Sequence, residues 1–242
     1  MTEPNRQSEA KEERIIEIEI ERLRPFKEHP FQVKDDKEMF LLQESIEKYG
    51  ILNPLIVRPV PDGYYEIISG HRRKHAAEKL GYRKVPVIIR VLSEDDSILS
   101  MVDSNLHRER ISYSEKAFAY KLKNDVLKRK SGRKKSQVDH KTPRKRAIEI
   151  ISEDCGDSPK QVQRYISLTK LIPEMLQKLD DEIISFCPAV EIAALSEKEQ
   201  RELLVAMEYA QAIPSLSQAQ RIRQLSKEKQ LSLERWKRSC VK

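Results

Sequence analysis

Leu55-Ile56-Val57-Arg58-Pro59-Val60-Pro61-Asp62-Gly63-Tyr64-Tyr65-Glu66-Ile67-Ile68-Ser69-Gly70-His71-Arg72-Arg73-Lys74-His75-Ala76-Ala77-Glu78-Lys79-Leu80-Gly81 sets the architecture of the first half of the chain. Leu55-Ile56-Val57 and Tyr64 to Ile68 are β-rich runs with Asp62-Gly63 between them, which predicts a hairpin. Ser69-Gly70 opens a helix from about His71 to Leu80, and Gly81 stops it. Val85-Pro86-Val87-Ile88-Ile89 is a further strand, with Pro86 marking an edge or a strand start. Upstream, Ile16, Ile18 and Ile20 alternate with Glu17, Glu19 and Glu21, the pattern of a half-buried strand. Asp35 or Asp36 caps a helix with Met39, Leu42, Ile46 and Tyr49 on its apolar face, ended by Gly50. Ser93 and Asp96 form a capping box for a helix running to about Leu106.

The remainder reads as all-α. A helix from about Ser114 to Lys130 presents Phe118, Leu122 and Val126, and another begins near Pro143. A third is opened by Ser158-Pro159-Lys160-Gln161, with Ser158 as cap, Pro159 at the first helical position and Gln161 closing a capping box. Pro173, Pro188 and Pro214 each punctuate a further helix. The expected organisation is a disordered tail over 1–13, an α+β domain over 14–111, an all-α domain over 112–228 and a polar tail over 229–242.

Charge sharpens that division. The 242 residues carry a formal net charge of +7. Between Lys128 and Arg146 stand ten Lys or Arg and one acid, Asp139, so this hinge alone is +9 and the rest sums to −2. A local basic segment points to a polyanion. No apolar run approaches the ~18 residues of a membrane span, and Met1 to Arg14 hold no apolar signal core. Cys155, Cys187 and Cys240 fit neither a disulfide framework nor a zinc cluster, so a reducing, cytoplasmic compartment is expected.

Three motifs bear on chemistry. Ser69-Gly70-His71-Arg72-Arg73 sits at a strand-to-helix junction, where free N–H groups and forked guanidinium donors suit phosphate; the same residues also suit an ordinary cap with solvated arginines. Asp103-Ser104-Asn105-Leu106-His107-Arg108-Glu109-Arg110 ends a helix. Asn105 there offers an oxygen fit for Mg²⁺, and Arg108 equally suits the helix dipole. The helix opened by Ser158 carries Lys160, Gln161, Gln163 and Arg164 in its first turns, with Val162, Ile166 and Thr169 facing inward. With a preceding helix from about Arg144 to Glu153 it has the layout of a helix-turn-helix, though also of a plain helical hairpin. His71 and His75 lack a third zinc ligand, and no Walker loop or Gly-x-Ser-x-Gly occurs.

Residues from about Ile16 to Glu115 resemble the N-terminal domain of the ParB family of partition proteins. His29-Pro30-Phe31-Gln32 is similar to its N-P-x-Q-P-R loop. Ser45-Ile46 through Gly50-Ile51-Leu52-Asn53-Pro54-Leu55-Ile56-Val57-Arg58 is similar to S-I-x-x-x-G-x-x-x-P-x-x-V-R. Gly70-His71-Arg72-Arg73 is similar to G-E-R-R, and Asn105-Leu106-His107-Arg108-Glu109 to E-N-L-Q-R-E. Residues from about Arg144 to Lys227 resemble the family's helix-turn-helix domain. The resemblance implies a ParB/sulfiredoxin-like domain that binds CTP with Mg²⁺ and a clamp around double-stranded DNA. Gly70, His71, Arg72, Arg73, Asn105 and Arg108 would form the nucleotide site, with Asn105 beside the metal. Arg133, Lys134, Lys135, Arg144, Lys145, Lys160, Gln161, Gln163 and Arg164 would face DNA. It further implies a homodimer, a ParA-type ATPase partner, no membrane partner, and association with a nucleoid or plasmid.

The departures from the family pattern are specific. His71 replaces the Glu of G-E-R-R, Ser104 replaces the Glu before Asn105, His107 replaces a Gln, and Lys34 replaces the loop Arg. Asp103 lies about 100° around the helix and cannot stand in for the missing Glu. Nucleotide binding with weak or altered CTP hydrolysis is therefore expected. Two other readings share the fold: a small-molecule kinase such as the free-serine kinase, which has a similar G-H-x-R stretch, and a DNA-binding adaptor or regulator without nucleotide turnover. Sulfiredoxin chemistry lacks its thiol at Gly70, and no acidic metal cluster supports a nuclease.

Overall fold

The first strand, β1 (Ile15–Glu19), turns Ile18 inward between exposed Glu17 and Glu19, and buried Ile20 follows it. The computed structural model describes residues 14–27, 30, 31, 33, 35–106, 108, 111–133 and 146–228, the side chains of 132 and 133 excepted. The motif loop residues His29, Gln32 and Lys34, with His107, Glu109 and Arg110, lie outside them, as do 1–13 and 229–242. β2 (Leu23–Arg24), β3 (Leu55–Pro59), β4 (Tyr65–Ser69) and β5 (Lys84–Ile89) complete a five-stranded mixed sheet in the order β1-β5-β3-β4-β2. β3 and β4 form the expected antiparallel hairpin. Asp62 and Gly63 both adopt positive φ at its turn, which Asp and Gly tolerate.

Two sequence expectations shift here. Ile16 is 41% exposed, because β1 lies at the sheet edge and its outer end is uncovered. Pro86 is not on an edge strand: β5 pairs with β1 on one side and β3 on the other. Pairing with β3 starts only at Val87, so the residue without an N–H precedes that second ladder.

Helix α1 (Lys37–Tyr49) is capped by Asp36, whose Oδ1 accepts from Met39 N at 2.8 Å, and closed by Gly50 at φ 71°. Met39 and Ile46 are buried as expected, but Tyr49 is exposed. Helix α2 (His71–Lys79) lies between α1 and the sheet. Its Ala77 packs with Leu55, Val57, Ile67 and Val87, whereas the adjacent Ala76 packs with Met39 and Ile46. Helix α3 (Glu94–Leu106) follows, with Asp96 N donating to Ser93 Oγ at 3.2 Å.

The chain divides into two compact units at Met101/Val102, within α3. Leu106, in the last turn of α3, packs into the helical core. That core is built by α4 (Tyr113–Arg133), α5 (Ala147–Cys155), α6 (Pro159–Leu168), α7 (Pro173–Asp180), α8 (Phe186–Ile192), α9 (Glu197–Ala210) and α10 (Leu216–Lys227). On α4 the side facing it is Tyr113, Ala117, Tyr120 and Leu127, while Phe118 is 38% exposed. Buried Gln200 joins three segments: its Oε1 accepts from Ile172 N, and its Nε2 donates to Lys170 O and Leu195 O.

Candidate functional site

Gly70 stands at φ 107° immediately before α2, a conformation that strains any side chain. An added Cβ would lie 2.8 Å from Leu55 Cγ and 3.3 Å from Arg73 Nη2. The first turn of α2 begins right behind it, and Gly70 has no side chain to cap that turn's N–H groups. This is the layout of an anion site: backbone donors at a helix start, with two guanidinium groups close in sequence.

Those guanidinium groups already have protein partners. Arg72 pairs with Asp36 at 3.0 Å and Glu38 at 3.1 Å, both at the start of α1. Arg73 donates through Nη1 to the carbonyl oxygens of Asn53 and Pro54. Burial pulls the Arg73 pKa down, but a guanidinium starts high enough to remain charged. His71 is buried, and His75 Nε2 lies 3.0 Å from Asp35. Asp35 is held below the usual carboxylate range by hydrogen bonds from Lys79 and then His75. One face of α2 is thus tied to the three acids that begin α1. The sequence identified Asp36 as a cap; nothing in its spacing announced Asp36 and Glu38 as partners of Arg72.

Gly70 to Arg73 belong to the first unit, and Asn105 and Arg108 to the second. Asn105 is buried. Its Nδ2 donates to Ser104 Oγ at 3.3 Å, and its carbonyl accepts from Arg108 N at 3.1 Å. Asp103 accepts from Lys123 Nζ at 2.6 Å. Among the described residues no group of three or more His, Cys, Asp or Glu is placed to hold a metal ion.

The second candidate surface begins at α5. Arg146 caps that helix, with its N–H donating to Glu149 Oε2 at 2.7 Å. α5 extends to Cys155, farther than the expected Glu153, so only Gly156, Asp157 and Ser158 connect it to α6. Gly156 takes φ 74° in this short turn, and Ser158 Oγ accepts from Gln161 N at 3.2 Å. The side of α6 turned inward carries Val162, Tyr165 and Leu168; Ile166 and Thr169, expected there, are only partly covered. Lys160 and Gln163 are exposed, and Gln161 is half-buried. Arg164 donates to Cys187 Sγ at 3.1 Å and lies 5.2 Å from the Phe186 ring centre, so α8 fixes its direction. Of the basic hinge, Lys128 and Arg129 are exposed on α4, and Arg133 ends that helix; Lys134, Lys135, Arg144 and Lys145 lie outside the described residues.

Residues 4–106 match the family described as the ParB N-terminal domain. The nucleoid occlusion protein of Bacillus mycoides (strain KBAB4) is 36% identical over 136 residues, which is 53% of this chain and 47% of that protein. The N-terminal part of the chain, up to residue 106, is thus similar to ParB N-terminal domains. The chain spans about half the length of the nucleoid occlusion proteins it matches. Among solved structures, the pNOB8-like ParB-N domain shares its fold over 90% of this chain and 98% of that one, at 16% identity and a TM-score of 0.53. The C-terminally truncated ParB of Caulobacter crescentus complexed to the centromeric parS site is 24% identical, covering 93% and 98% of the two chains with a TM-score of 0.49. The same protein complexed with CTP-γ-S gives 26% identity, 86% and 98% coverage and a TM-score of 0.37.

Proposed function

We propose that this chain is a ParB-type partition protein that binds DNA, a CTP-responsive clamp on double-stranded DNA with weak CTP hydrolysis. The observation that carries this reading is the Gly70-His71-Arg72-Arg73 segment of a ParB N-terminal domain, set at the start of α2 with a glycine whose backbone would strain any side chain and bring it against Leu55. Backbone N–H groups of that turn, with Arg72 and Arg73, would bind the triphosphate; Arg108 would add a further donor. Phosphate would compete with Asp36 and Glu38 for Arg72, whereas Arg73 would act from its anchored position.

Mg²⁺, when bound, would neutralise part of the triphosphate charge. Asn105 would contribute one amide oxygen and the phosphates and water the rest, a usual arrangement for this ion. Ser104 supplies no carboxylate, and Asp103 is engaged by Lys123. This segment therefore offers the metal no acid, and that is why hydrolysis is expected to be weak. Lys160, Gln161 and Gln163 would meet DNA from the first turns of α6, with Arg164 braced by α8. The hinge residues Arg133, Lys134, Lys135, Arg144 and Lys145 would neutralise phosphates. A homodimer, a ParA-type ATPase partner and a nucleoid- or plasmid-associated cytoplasmic location complete the reading. No helix among the described residues is long and apolar enough to cross a membrane.

The existing partners of Arg72 and Arg73 favour a second reading, a DNA-binding adaptor that keeps the fold without using a nucleotide. Equilibrium binding of radiolabelled CTP against ATP, GTP and UTP separates the two. The clamp reading expects a preference for CTP that Arg72→Ala weakens at least tenfold; equal or absent binding of all four leaves the adaptor. DNA affinity over a salt series tests the hinge. Neutralising Arg133, Lys134 and Lys135 together should make the log–log slope shallower by up to about 0.9 per lost phosphate contact. An unchanged slope removes these residues from the interface.

A further inference from the structure

One buried charge enters that reading only through its hold on Asp103. Lys123, in the middle of α4, is 2% exposed, yet its Nζ donates to Asp103 Oδ1 at 2.6 Å and to Asp154 Oδ2 at 2.7 Å. Both carboxylates are about half exposed, so the ammonium is enclosed while its two partners reach it from the surface of different helices. Burying an ammonium costs several kcal/mol unless it is well paired. Burial pulls the Lys123 pKa down; the hydrogen bonds to Asp103 and Asp154 outweigh it and leave the group above the ordinary lysine value. The charge is therefore retained, and its geometry is fixed by two acids.

The two acids occupy informative places. Asp103 is in the last turn of α3, two residues before Asn105. Asp154 is in the last turn of α5, two residues before the connection to α6 begins. That connection is gripped by α4 at three successive positions on one face. Lys116 pairs with Asp157 at 2.8 Å, the Tyr120 hydroxyl donates to Asp157 Oδ2 at 2.6 Å, and Lys123 holds Asp154. Spacings of four and three residues put all three on the same side of the helix. Lys116 and Tyr120 hold the connection and also lie against the Tyr165 ring of α6. Lys123 instead reaches α3, so it joins the Asn105 turn to the end of α5 that leads into α6.

We propose that Lys123 is a positioning residue that couples the Asn105-bearing turn of α3 to the placement of α6, so that nucleotide and DNA act on one another through a single enclosed ammonium. This rests on the nucleotide and DNA reading above and adds the route by which the two sites communicate. If a ligand draws the last turn of α3 toward it, Asp103 pulls on Lys123, and Lys123 on Asp154. The reverse path runs from α6. Linkage requires the two effects to be equal in size.

The test uses the full chain, CTP with Mg²⁺, and a duplex selected on the wild-type chain from a random-sequence pool. The DNA dissociation constant is measured with and without CTP, and the CTP constant with and without the duplex. Lys123→Met removes the charge and keeps the length. Asp103→Asn cuts only the α3 end and leaves all three grips on the connection, so it serves if Lys123→Met does not fold by circular dichroism. In Asp103→Asn, DNA affinity without nucleotide should stay within about twofold of wild type, while the fold-change that CTP produces should shrink toward one. The effect of DNA on CTP affinity should shrink equally. Wild-type coupling in both variants overturns the proposal, as does a wild-type chain that binds both ligands without coupling. A wild-type chain that binds no CTP is a different result: it overturns the nucleotide reading, and this inference with it.

Discussion

Arg72 illustrates how a neighbour decides what a side chain is available to do. Its charge is shared by Asp36 and Glu38, both about half exposed, and such surface pairs contribute only about 0.2–1 kcal/mol each. A triphosphate can displace them at small cost. Glu38→Gln should therefore tighten CTP binding by up to about fivefold in calorimetric titration, since less competition remains. Unchanged or weaker binding would mean that Arg72 does not reach the ligand. Gly70 offers no such latitude. Gly70→Ala meets both a left-handed backbone and Leu55 Cγ at 2.8 Å, and should cost roughly 1–3 kcal/mol, seen as a drop of several degrees in Tm. Wild-type stability in that variant would show that the turn relaxes freely.

At the level of elements, the α5–α6 connection depends on a carboxylate. Burial pushes the Asp157 pKa up, but the hydrogen bonds from Lys116 and Tyr120 prevail and hold it below the usual carboxylate value. A group depressed in the folded state stabilises fully above its unfolded pKa of about 3.9, and that contribution fades as pH falls through the folded value. Melting temperature should drop as pH is lowered from about 4. Asp157→Asn should be less stable at neutral pH and should lose less on acidification. Identical pH slopes in the two proteins would exclude Asp157 as the cause. Sequence periodicity disclosed most of these elements. The β3–β4 hairpin was legible because its strands are apolar and Asp62-Gly63 suits only a turn, and the Ser158 cap fixed the start of α6. The buried side of α4 was legible at Val126 but not at Lys123 and Asn124, which are buried as well. A lysine goes inside only when distant acids meet it, and Asp103 and Asp154 lie 20 and 31 residues away. The site divided the same way. Gly70 to Arg73 were found from a local motif, whereas Asp36, Glu38 and the Asn53 carbonyl join them only in the folded chain.

For the molecule as a whole, two units with separate apolar cores imply two separable stabilities. The first rests on the cluster around Leu55, Val57 and Val87, the second on the cluster around Tyr120, Leu168 and Leu203. Truncating a fully buried leucine to alanine costs about 2–5 kcal/mol. Leu55→Ala should speed amide exchange through β3, β4 and β5 with little change in α6 to α9, and Leu168→Ala should do the converse. Acceleration throughout the chain in either variant would mean that the units unfold as one.

Ala76 and Ala77 stand side by side on α2 and touch different layers, one toward α1 and one toward the sheet. Their side chains are the smallest available, so the helix is a thin partition between two rooms. Enlarging Ala76 would press on one wall and enlarging Ala77 on the other. A protein engineer thus has two opposed screws for nudging Arg72 and Arg73 without altering either arginine.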